Sequence, residues 1–419
     1  MRVLWITNIV FPEAQSLLNG ESLLKSSGGW MIGAAEALVA DLDVDLYVAS
    51  VTPLVKNLTR IEGKKIKYFL LPYGKGNTLV NHEYEPLWQN INESIHPDVV
   101  HIHGTEFSHG LAFIKACGSR NVCVSIQGLV SNIYHYYYSG LKHSLIFKSQ
   151  TPRSLLFGGI YKDSINFKKR GEIEKETIRS VRHIIGRTSW DFVHTWAINP
   201  ARQYYYGGEI LREEFYEGHV WLYEKCTQHC IFLSQASYPL KGLHILLKAM
   251  PFIMQAYPDT TIRIAGSDIT RTDTWKEKLL LSDYGNIIRK MIKKFNLQHC
   301  ISFTGPLDAI GMRREYLNCN IFVCPSSIEN SPNSLGEAQI LGVPVVASNV
   351  GGIPDMMLGD EENLYRFDDV EMLAHKICQI FAKKEQIDTT TMRLKAIERH
   401  NPHTIIQGLI RTYTNVAHL

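Results

Sequence analysis

Short apolar runs alternate with amphipathic stretches along all 419 residues of the chain. Brief apolar runs bounded by turn-forming residues are typical of buried strands, and the longer stretches between them repeat with helical spacing. The pattern predicts strands over Arg2–Thr7, Asp45–Ser50, Ile66–Leu71, Val99–His103, Val122–Ile126, His183–Gly186, Cys230–Leu233, Thr261–Ala265, Ile301–Thr304, Ile321–Cys324 and Val345–Ala347. It predicts helices over Met31–Ala40, Glu85–Ser94, Leu111–Ala116, His244–Tyr257, Ile287–Phe295, Ser334–Leu341 and Met372–Lys383.

This alternation predicts parallel sheets covered by crossover helices. A single hydrophobic core stops growing near roughly 250–300 residues, so a chain of this length is expected to divide into domains. The pattern restarts between residues 198 and 228. We therefore expect an α/β fold of two Rossmann-like, doubly wound parallel-sheet domains that face a central cleft. The first covers residues 1–200, the second covers residues 201–395, and a final helix covers residues 396–419.

Composition and charge exclude several classes of protein. The 44 Lys and Arg residues nearly balance the 41 Asp and Glu residues, and a net charge of +3 does not indicate a nucleic-acid partner. The eight cysteines form no CxxC pair and no zinc-ligand run, which predicts reduced thiols and a cytoplasmic location. No apolar run reaches the roughly 18 residues of a membrane span, and no targeting segment is visible, so the protein is expected to be soluble or peripheral.

A pair of glycines precedes the first predicted long helix. Gly28 and Gly29 lead into a helix that is expected to begin near Met31. A backbone without Cβ atoms at a helix N-terminus can approach an anion and offer it N–H groups. The pair is a candidate ligand contact, and an ordinary flexible turn is the alternative.

Polar residues also end two neighbouring strands of the first half. His103 and Glu106 stand at the end of PDVVHIHGTE, and Gln127 ends the run VCVSIQ. The carboxyl ends of parallel strands form the ligand crevice of such sheets, so these side chains are candidates for that crevice. A glutamine there can hydrogen-bond sugar hydroxyls but cannot act as an acid or base near neutral pH. His101 shares a strand face with His103 and is expected to be structural.

Lys241 stands at the first strand–helix junction of the second half, in SYPLKGLHILLKAM. A cation at this position can neutralise a diphosphate leaving group. A solvated lysine is the alternative.

The most specific pattern is VCPSSIENSPNSLGEAQILGVPVVASNVGGIPDMM, which contains Glu329 and Glu337. Glu329 stands after a strand, Glu337 stands on a helix, and the stretch between them leads into that helix. A helix N-terminus with two nearby carboxylates can hold sugar hydroxyls, a diphosphate and a ribose in line. For Glu337 a capping box with Ser334 is the alternative.

Taken in order along the chain, these motifs resemble glycosyltransferase family 4, a retaining family with the two-Rossmann GT-B fold. The matching segments are Gly28–Gly29, HIHG at 101–104, Lys241–Gly242, IAG at 264–266, FTG at 303–305, the two glutamates and GGIPD at 351–355. The resemblance implies that Glu329 holds the hydroxyls of the donor sugar, that Glu337 holds the ribose, and that Lys241 binds the diphosphate. It assigns further donor contacts to Gly28, Gly29, Gly266, Gly305, Asn330, Ser331, Pro332, Asn333, Ser334 and Leu335. It also implies that the final helix crosses back to the first domain.

The chain departs from the family pattern at two places. Family members commonly have a histidine where this chain has Gln127, and an arginine that usually precedes the lysine is missing from FLSQASYPLKG. The candidates to replace the charge of that arginine are Arg187 and Arg263. A reaction in which the diphosphate itself assists attack needs no histidine base, so the catalytic candidates are Glu329, Lys241 and Gln127. His103, Glu106 and Arg187 are candidates for phosphate or acceptor contacts.

The resulting hypothesis is a retaining hexosyltransferase that moves a sugar from a nucleotide-sugar donor to a polysaccharide or lipid-linked oligosaccharide. No cofactor and no metal is expected, because Asp41–Asp43 has the spacing of a metal-binding DxD motif but stands at a predicted helix-to-strand turn away from the cleft. A nucleotide-sugar epimerase on the same fold is one alternative. A non-catalytic nucleotide- or carbohydrate-binding protein is another.

Residues 134–170 interleave aromatic and basic side chains. They carry seven cations and one acid, 7 − 1 = +6, while the whole chain carries +3. Such a stretch suits an anionic membrane surface or a diphosphate-lipid acceptor. A solvated helical excursion is the alternative.

Overall fold

The structure, a computed structural model, describes residues 1–20, 29–40, 44–73 and 84–418. It consists of two structural units, each built on one sheet. The first unit comprises Met1–Asn132, Lys168–Arg212 and His400–Leu419, and the second comprises Ile133–Phe167 and Glu213–Arg399.

The strands and helices, numbered in chain order, have the following bounds. The strands are β1 (Arg2–Thr7), β2 (Asp45–Thr52), β3 (Thr59–Glu62), β4 (Ile66–Pro72), β5 (Val99–His103), β6 (Val122–Ser125), β7 (His183–Gly186), β8 (Gln203–Tyr206), β9 (Cys230–Leu233), β10 (Thr261–Ile264), β11 (Ile301–Phe303), β12 (Ile321–Cys324), β13 (Val345–Ser348) and β14 (Leu364–Tyr365). The helices are α1 (Pro12–Asn19), α2 (Gly29–Ala40), α3 (Glu85–Ile95), α4 (His109–Cys117), α5 (Val130–Ile133), α6 (His143–Phe147), α7 (Pro152–Phe157), α8 (Ile160–Arg179), α9 (Ser189–Ile198), α10 (Leu243–Ala256), α11 (Trp275–Leu280), α12 (Asp283–Lys294), α13 (Ala309–Asn318), α14 (Asn333–Leu341), α15 (Ile353–Met356), α16 (Val370–Lys383), α17 (Thr390–Arg399) and α18 (Pro402–Ala417).

The first sheet has eight strands in the order β3-β4-β2-β1-β5-β6-β7-β8. Strand β3 pairs antiparallel with β4, and the other neighbours pair in parallel. The second sheet has six parallel strands in the order β11-β10-β9-β12-β13-β14. The predicted α/β fold with two doubly wound parallel-sheet domains is confirmed.

Alternation along β1 shows how the first sheet is buried on both faces. Leu4 and Ile6 belong to one apolar cluster, which includes Trp88 of α3. Val3 and Trp5 belong to a second cluster on the opposite face, with side chains from α2 and α18. Because successive strand residues point to opposite faces, a continuous apolar run is what a sheet covered on both sides requires.

Two elements differ from the sequence-based expectation. The single helix expected over residues 396–419 is wrong, because α17 ends at Arg399 and α18 begins at Pro402. Pro402 stands at the first helical position, where its missing N–H costs nothing, and Asn401 accepts a hydrogen bond from the backbone N–H of Thr404.

Residues 133–167 group with the second unit, whereas the sequence placed them within a first domain of residues 1–200. The backbone N–H of Thr151 donates to the buried carboxylate of Asp283 at 3.1 Å. His244 Nε2 donates to the carbonyl oxygen of Ser139 at 2.8 Å. These contacts join residues far apart in sequence, which local patterning does not report.

All eight cysteines are free thiols. Among the described helices, none is both long enough and apolar enough to cross a membrane.

Candidate functional site

The order of strands in the second sheet reverses between β9 and β12. From β9 the chain continues to β10 on one side, and from β12 it continues to β13 on the other. The crossovers leave a crevice outside the carboxyl ends of the two strands at such a switch point. Lys241 follows β9 and Glu329 follows β12, so the sheet topology brings both to this crevice.

Lys241 and Glu329 form an ion pair there. Lys241 Nζ lies 2.6 Å from Glu329 Oε1, and the hydroxyl of Ser326 donates to the same oxygen at 2.8 Å. The Lys241 and Glu329 side chains are 21% and 16% exposed. Burial alone would lower the pKa of Lys241, but the adjacent Glu329 carboxylate outweighs burial and raises it above its usual value. The site thus holds a fixed ammonium beside a fixed carboxylate.

Two glycines allow the backbone to close around this pair. Gly242 has a φ of +73°, and a Cβ atom built on it would lie 1.8 Å from the carbonyl oxygen of Pro325. Gly351, of the segment GGIPD, has a φ of +53°, and its Cβ would lie 1.9 Å from the carbonyl oxygen of Glu329. The N–H of Gly352 donates to that same oxygen at 3.0 Å. GGIPD therefore fixes the backbone of Glu329.

The stretch between the two glutamates leads into α14. Asn330 is buried, and Asn333, the first residue of the helix, has a buried side-chain oxygen without a hydrogen-bond partner in the described part of the chain. Ser331 contacts the sulfur of Met356 at 3.6 Å. The backbone N–H groups of Asn330–Leu335, which the sequence analysis assigns to donor contacts, thus stand at a helix N-terminus beside Glu329.

The alternative interpretation of Glu337, in which it forms a capping box with Ser334, is wrong. Helix α14 begins at Asn333, and its N-cap is Pro332, which has no side-chain oxygen to offer. Ser334 is already inside the helix, where its carbonyl oxygen accepts a hydrogen bond from the hydroxyl of Tyr316. Glu337 is 5% exposed, and its Oε2 lies 3.5 Å from that hydroxyl.

Gly266 and Gly305 follow β10 and β11 and face each other in an isolated antiparallel bridge. The N–H of Gly266 donates to the carbonyl of Gly305 at 3.0 Å, and both residues have positive φ. Gly305 lines a cavity of about 900 Å³ inside the second unit, together with Tyr238, Asp268 and Phe303. This volume is within the range of small-molecule sites, roughly 300–1,000 Å³. Lys241 and the two glutamates stand outside its described lining.

Arg263, one of the two residues suggested to supply the missing diphosphate-binding charge, is paired with an acidic side chain of its own unit. Its guanidinium makes two bonds, of 2.5 and 2.8 Å, to the buried carboxylate of Glu315. Arg187, the other suggestion, lies in the first unit, 2.6 Å from Glu209.

The first unit holds a separate cluster at the carboxyl ends of β5, β6 and β7. His103, Gln127 and Arg187 line a small cavity of about 50 Å³ with Trp5 and Trp30. The His103 ring centroid lies 4.3 Å from that of Trp5. Neither ring nitrogen of His103 has a hydrogen-bond partner within the described ranges. Burial, and then the charges of His101 and Arg187, lower its pKa well below the usual value, which keeps the ring neutral.

Glu106 is a titratable group of this cluster whose pKa lies close to neutral pH. Burial first, and the Glu174 carboxylate after it, raise the pKa of Glu106 to about 7. Gly104 has a φ of +88°, and a Cβ atom there would lie 2.2 Å from Glu106 Oε2 and 3.2 Å from Gln127 Cγ. The absent side chain of Gly104 therefore leaves room for Glu106 and Gln127 to lie side by side.

Two predictions concern residues at the edges of the described ranges. Gly28 and Asp41–Asp43 lie outside the described residues. Gly29 begins α2, and a Cβ atom there would lie 2.9 Å from Arg212 Cγ.

The sequence analysis missed Ser326 and Glu209. Both follow predicted or observed strands at the carboxyl edge, which is the signal that would have found them: Ser326 is two residues beyond β12, and Glu209 is three beyond β8.

Residues 227–383 match the family described as Glycosyl transferases group 1. The second unit therefore carries a glycosyl transferases group 1 domain. The chain is 24% identical to a phosphatidyl-myo-inositol mannosyltransferase of Mycobacterium leprae (strain TN) over 198 residues, which are 46% of this chain and 48% of that protein. The chain spans less than half the length of the curated relatives that it matches.

Solved glycosyltransferase structures share the fold of the whole chain, including the group 1 domain. Sucrose-phosphate synthase from Thermosynechococcus elongatus matches with a TM-score of 0.71 and 15% identity, covering 99% of this chain and 98% of that one. HepE from Anabaena, in complex with UDP-glucose, matches with a TM-score of 0.63 and 15% identity, covering 99% and 100%. The two α/β units thus have the GT-B fold.

Proposed function

We propose that the protein is a retaining, metal-independent hexosyltransferase that moves a sugar from a nucleotide-sugar donor to a polysaccharide or lipid-linked oligosaccharide. The observation that carries the proposal is the contact between Lys241 and Glu329 at the switch point of a glycosyl transferases group 1 domain. HepE, which has this fold, was crystallised with UDP-glucose, which supports a nucleotide diphosphate sugar as donor. The proposed location is the cytoplasm, at the inner face of the cell membrane.

In the proposed reaction, Lys241 and Glu329 contact different parts of the donor. The ammonium stabilises the negative charge that develops on the leaving diphosphate. The Glu329 carboxylate accepts hydrogen bonds from the donor sugar's hydroxyls. The bond from C1 to the diphosphate oxygen breaks while a bond from C1 to the acceptor oxygen forms on the same face. The acceptor's proton passes to an oxygen of the leaving diphosphate, so Gln127 is not required as a base.

The remaining candidate residues fall into two groups. Glu337 is assigned to the ribose, and Gly266, Gly305 and the N-terminus of α14 to the nucleotide. In the first unit, His103, Glu106 and Arg187 are assigned to acceptor or phosphate contacts, and Gln127 remains a catalytic candidate.

Turnover of nucleotide sugars, measured with and without a glycan or lipid-linked acceptor, tests the proposal. Acceptor-dependent transfer with an unchanged anomeric configuration in the product, read by NMR, is the expected result. Full conversion of the donor sugar to an epimer without acceptor would instead identify an epimerase. Tight donor binding without any turnover would identify a binding protein.

A Glu329→Gln variant serves as the control for the assay. It should fold, because glutamine keeps the size of the side chain, and it should lose transfer, because the sugar contact and the ion pair with Lys241 are both weakened. Full activity in this variant would contradict the role given to Glu329.

A further inference from the structure

Three consecutive large apolar side chains lie on the surface of the second unit. Leu155, Leu156 and Phe157 of α7 are 71%, 77% and 69% exposed. Single exposed apolar residues are ordinary, but a contiguous group usually marks an interaction surface.

A second short helix presents apolar side chains beside them. On α11, Trp275 is 67% exposed, Leu279 is 49% exposed and Leu280 is 64% exposed. Arg153 of α7 donates to the carbonyl oxygen of Leu280 at 3.2 Å, which joins the two helices. We call the following six residues the α7–α11 patch: Leu155, Leu156, Phe157, Trp275, Leu279 and Leu280.

Both helices are held firmly although their apolar side chains face outward. Each begins with a capping box, formed by Thr151 with Ser154 in α7 and by Thr274 with Glu277 in α11. The hydroxyl of Thr151 also donates to the carbonyl of Leu281 at 2.7 Å. The patch is therefore built into the fold of this unit.

Positive charge predominates next to α7 and along α12, whereas α11 with its flanks, residues 268–280, carries three cations and three acids. Residues 142–162 carry four cations and no acid, and residues 284–298 likewise carry four cations and no acid. Lys290 Nζ donates to the carbonyl of Lys148 at 2.8 Å, so the basic end of α12 lies against the segment that precedes α7. These eight cations are all exposed: Lys142, Lys148, Arg153, Lys162, Arg289, Lys290, Lys293 and Lys294.

We propose that the α7–α11 patch docks the protein on an anionic phospholipid bilayer. The apolar side chains would enter the interface between headgroups and acyl chains, while the cations contact lipid phosphates. Trp275 suits this depth because its ring is amphipathic. A symmetric contact between two copies of the chain would instead bring the same basic segments of both copies together, which charge repulsion opposes.

The proposal is narrower than the surface predicted over residues 134–170, and its test needs no donor. Two residues of the patch, Phe157 and Leu280, also line the cavity that Gly305 borders, so the substitutions used in the test are placed at Leu155, Leu156 and Trp275, which do not line it. Lys168, Lys169 and Arg170 belong to the first unit and are left out, whereas α11 and α12 are added.

Co-sedimentation of the full chain with vesicles tests this proposal without any donor or acceptor, so its outcome is separate from that of the turnover assay. The wild type should bind vesicles that contain phosphatidylglycerol, bind phosphatidylcholine vesicles weakly, and lose binding as salt rises. The triple variant Leu155→Gln, Leu156→Gln, Trp275→Gln should bind at least about tenfold more weakly, since three buried apolar side chains are lost from the membrane contact.

Matched variants separate the patch from general surface effects. Leu358→Gln with Leu394→Gln changes two other exposed leucines of the same unit, 58% and 59% exposed, and should bind as the wild type does. Lys293→Gln with Lys294→Gln should weaken binding to anionic vesicles, whereas Lys64→Gln with Lys65→Gln, exposed in the first unit, should not.

Thermal melts show whether each variant is folded, and all of these exposed substitutions should leave the melting temperature near that of the wild type. Equal vesicle binding by the triple variant and the wild type would overturn the proposal. So would absence of binding at low salt, or a dimer that the triple substitution dissociates while vesicle binding is absent.

Discussion

The ammonium of Lys241 lies 2.6 Å from Oε1 of Glu329, although 88 residues separate the two in sequence. Each side chain is held where the other can neutralise it, at the carboxyl ends of two adjacent strands. In the proposed reaction, a donor that enters the site would find a cation for its diphosphate and a carboxylate for its hydroxyls already in place. Such preorganisation reduces the reorganisation needed at the moment of reaction.

The Lys241–Glu329 pair should also contribute to stability. In a double-mutant cycle of Lys241→Met and Glu329→Gln, followed by urea unfolding, we expect a coupling free energy of about 1–3 kcal/mol, because the pair is largely shielded from water. Arg366 and Asp368 provide a control, since they also lie 2.6 Å apart but are 79% and 40% exposed. Their coupling should stay below about 1 kcal/mol. Equal coupling in both cycles would contradict the shielding of the site.

Transfer should survive excess EDTA. In the proposed site, Lys241 and the N-terminus of α14 would supply the positive charge that a metal ion would otherwise bring to the diphosphate. The measurement is the transfer rate after exhaustive dialysis against EDTA, with magnesium or manganese added back to a parallel sample. Loss of activity that either metal restores would refute metal independence.

His244 should make the protein less stable in acid. Burial lowers its pKa from 6.5 to about 4, while its hydrogen bond to the Ser139 carbonyl acts in the opposite direction. Between pH 6.5 and about pH 4 the unfolded chain binds a proton that the folded chain does not. The free energy of unfolding should therefore fall as pH falls through this window, by on the order of 3 kcal/mol in total from this residue.

Urea unfolding at pH 7 and pH 5 measures this effect. His244→Gln keeps a donor for the Ser139 carbonyl but does not titrate, so its stability should change less between the two pH values. His403→Gln, at an exposed position, should retain the full pH dependence of the wild type. An unaltered pH dependence in His244→Gln would show that this histidine is not the source.

Gly351→Ala should disturb the position of Glu329. The new Cβ would meet the Glu329 carbonyl oxygen at 1.9 Å, in addition to the strain of a φ of +53°. Gly20→Ala provides the strain alone, because Gly20 is in the left-handed region with a φ of +71° and has nothing within 4 Å of its Cβ position among the described residues. We expect Gly20→Ala to cost about 1–2 kcal/mol and to keep activity. Gly351→Ala should cost more and lose transfer; activity equal to that of Gly20→Ala would be the contrary result.

The continuous apolar runs made the sheets predictable. Strands such as β9 and β12 are buried on both faces, so every residue in them is constrained to be apolar or small. Strand β14 has two residues, Leu364 and Tyr365, and shows no period that a pattern could reveal. Helices α7 and α11 were not predicted. An amphipathic helix is recognised by an apolar face that packs against the core, and the apolar side chains of these two helices face outward instead.

The two members of the ion pair, Lys241 and Glu329, could be singled out from the sequence, whereas the contacts of the neighbouring residues could not. Glu329 and Lys241 could be named because each follows a strand that reaches the crevice. Ser334 and Glu337 have the spacing of a capping box, yet Pro332 occupies the cap and shifts the helix start. The bond from Arg263 to Glu315 joins residues 52 positions apart, and no local pattern reports such a pair.

The two glutamates should affect different ligands, which is the central claim of the proposed donor site. Glu337→Gln should weaken binding of the free nucleoside diphosphate about 10–150-fold, the equivalent of a charge-assisted hydrogen bond of roughly 1.5–3 kcal/mol. Glu329→Gln should leave that binding nearly unchanged and depress transfer, because its contact exists only when the sugar is present.

Isothermal titration calorimetry of the nucleoside diphosphate with the wild type, Glu337→Gln and Glu329→Gln is the most direct measurement, with thermal melts of the same samples to establish folding. The proposed site predicts a large loss of affinity in Glu337→Gln and nearly none in Glu329→Gln. Equal affinity in the wild type and in a folded Glu337→Gln variant would contradict it, and Glu337 would then be a structural partner of Tyr316.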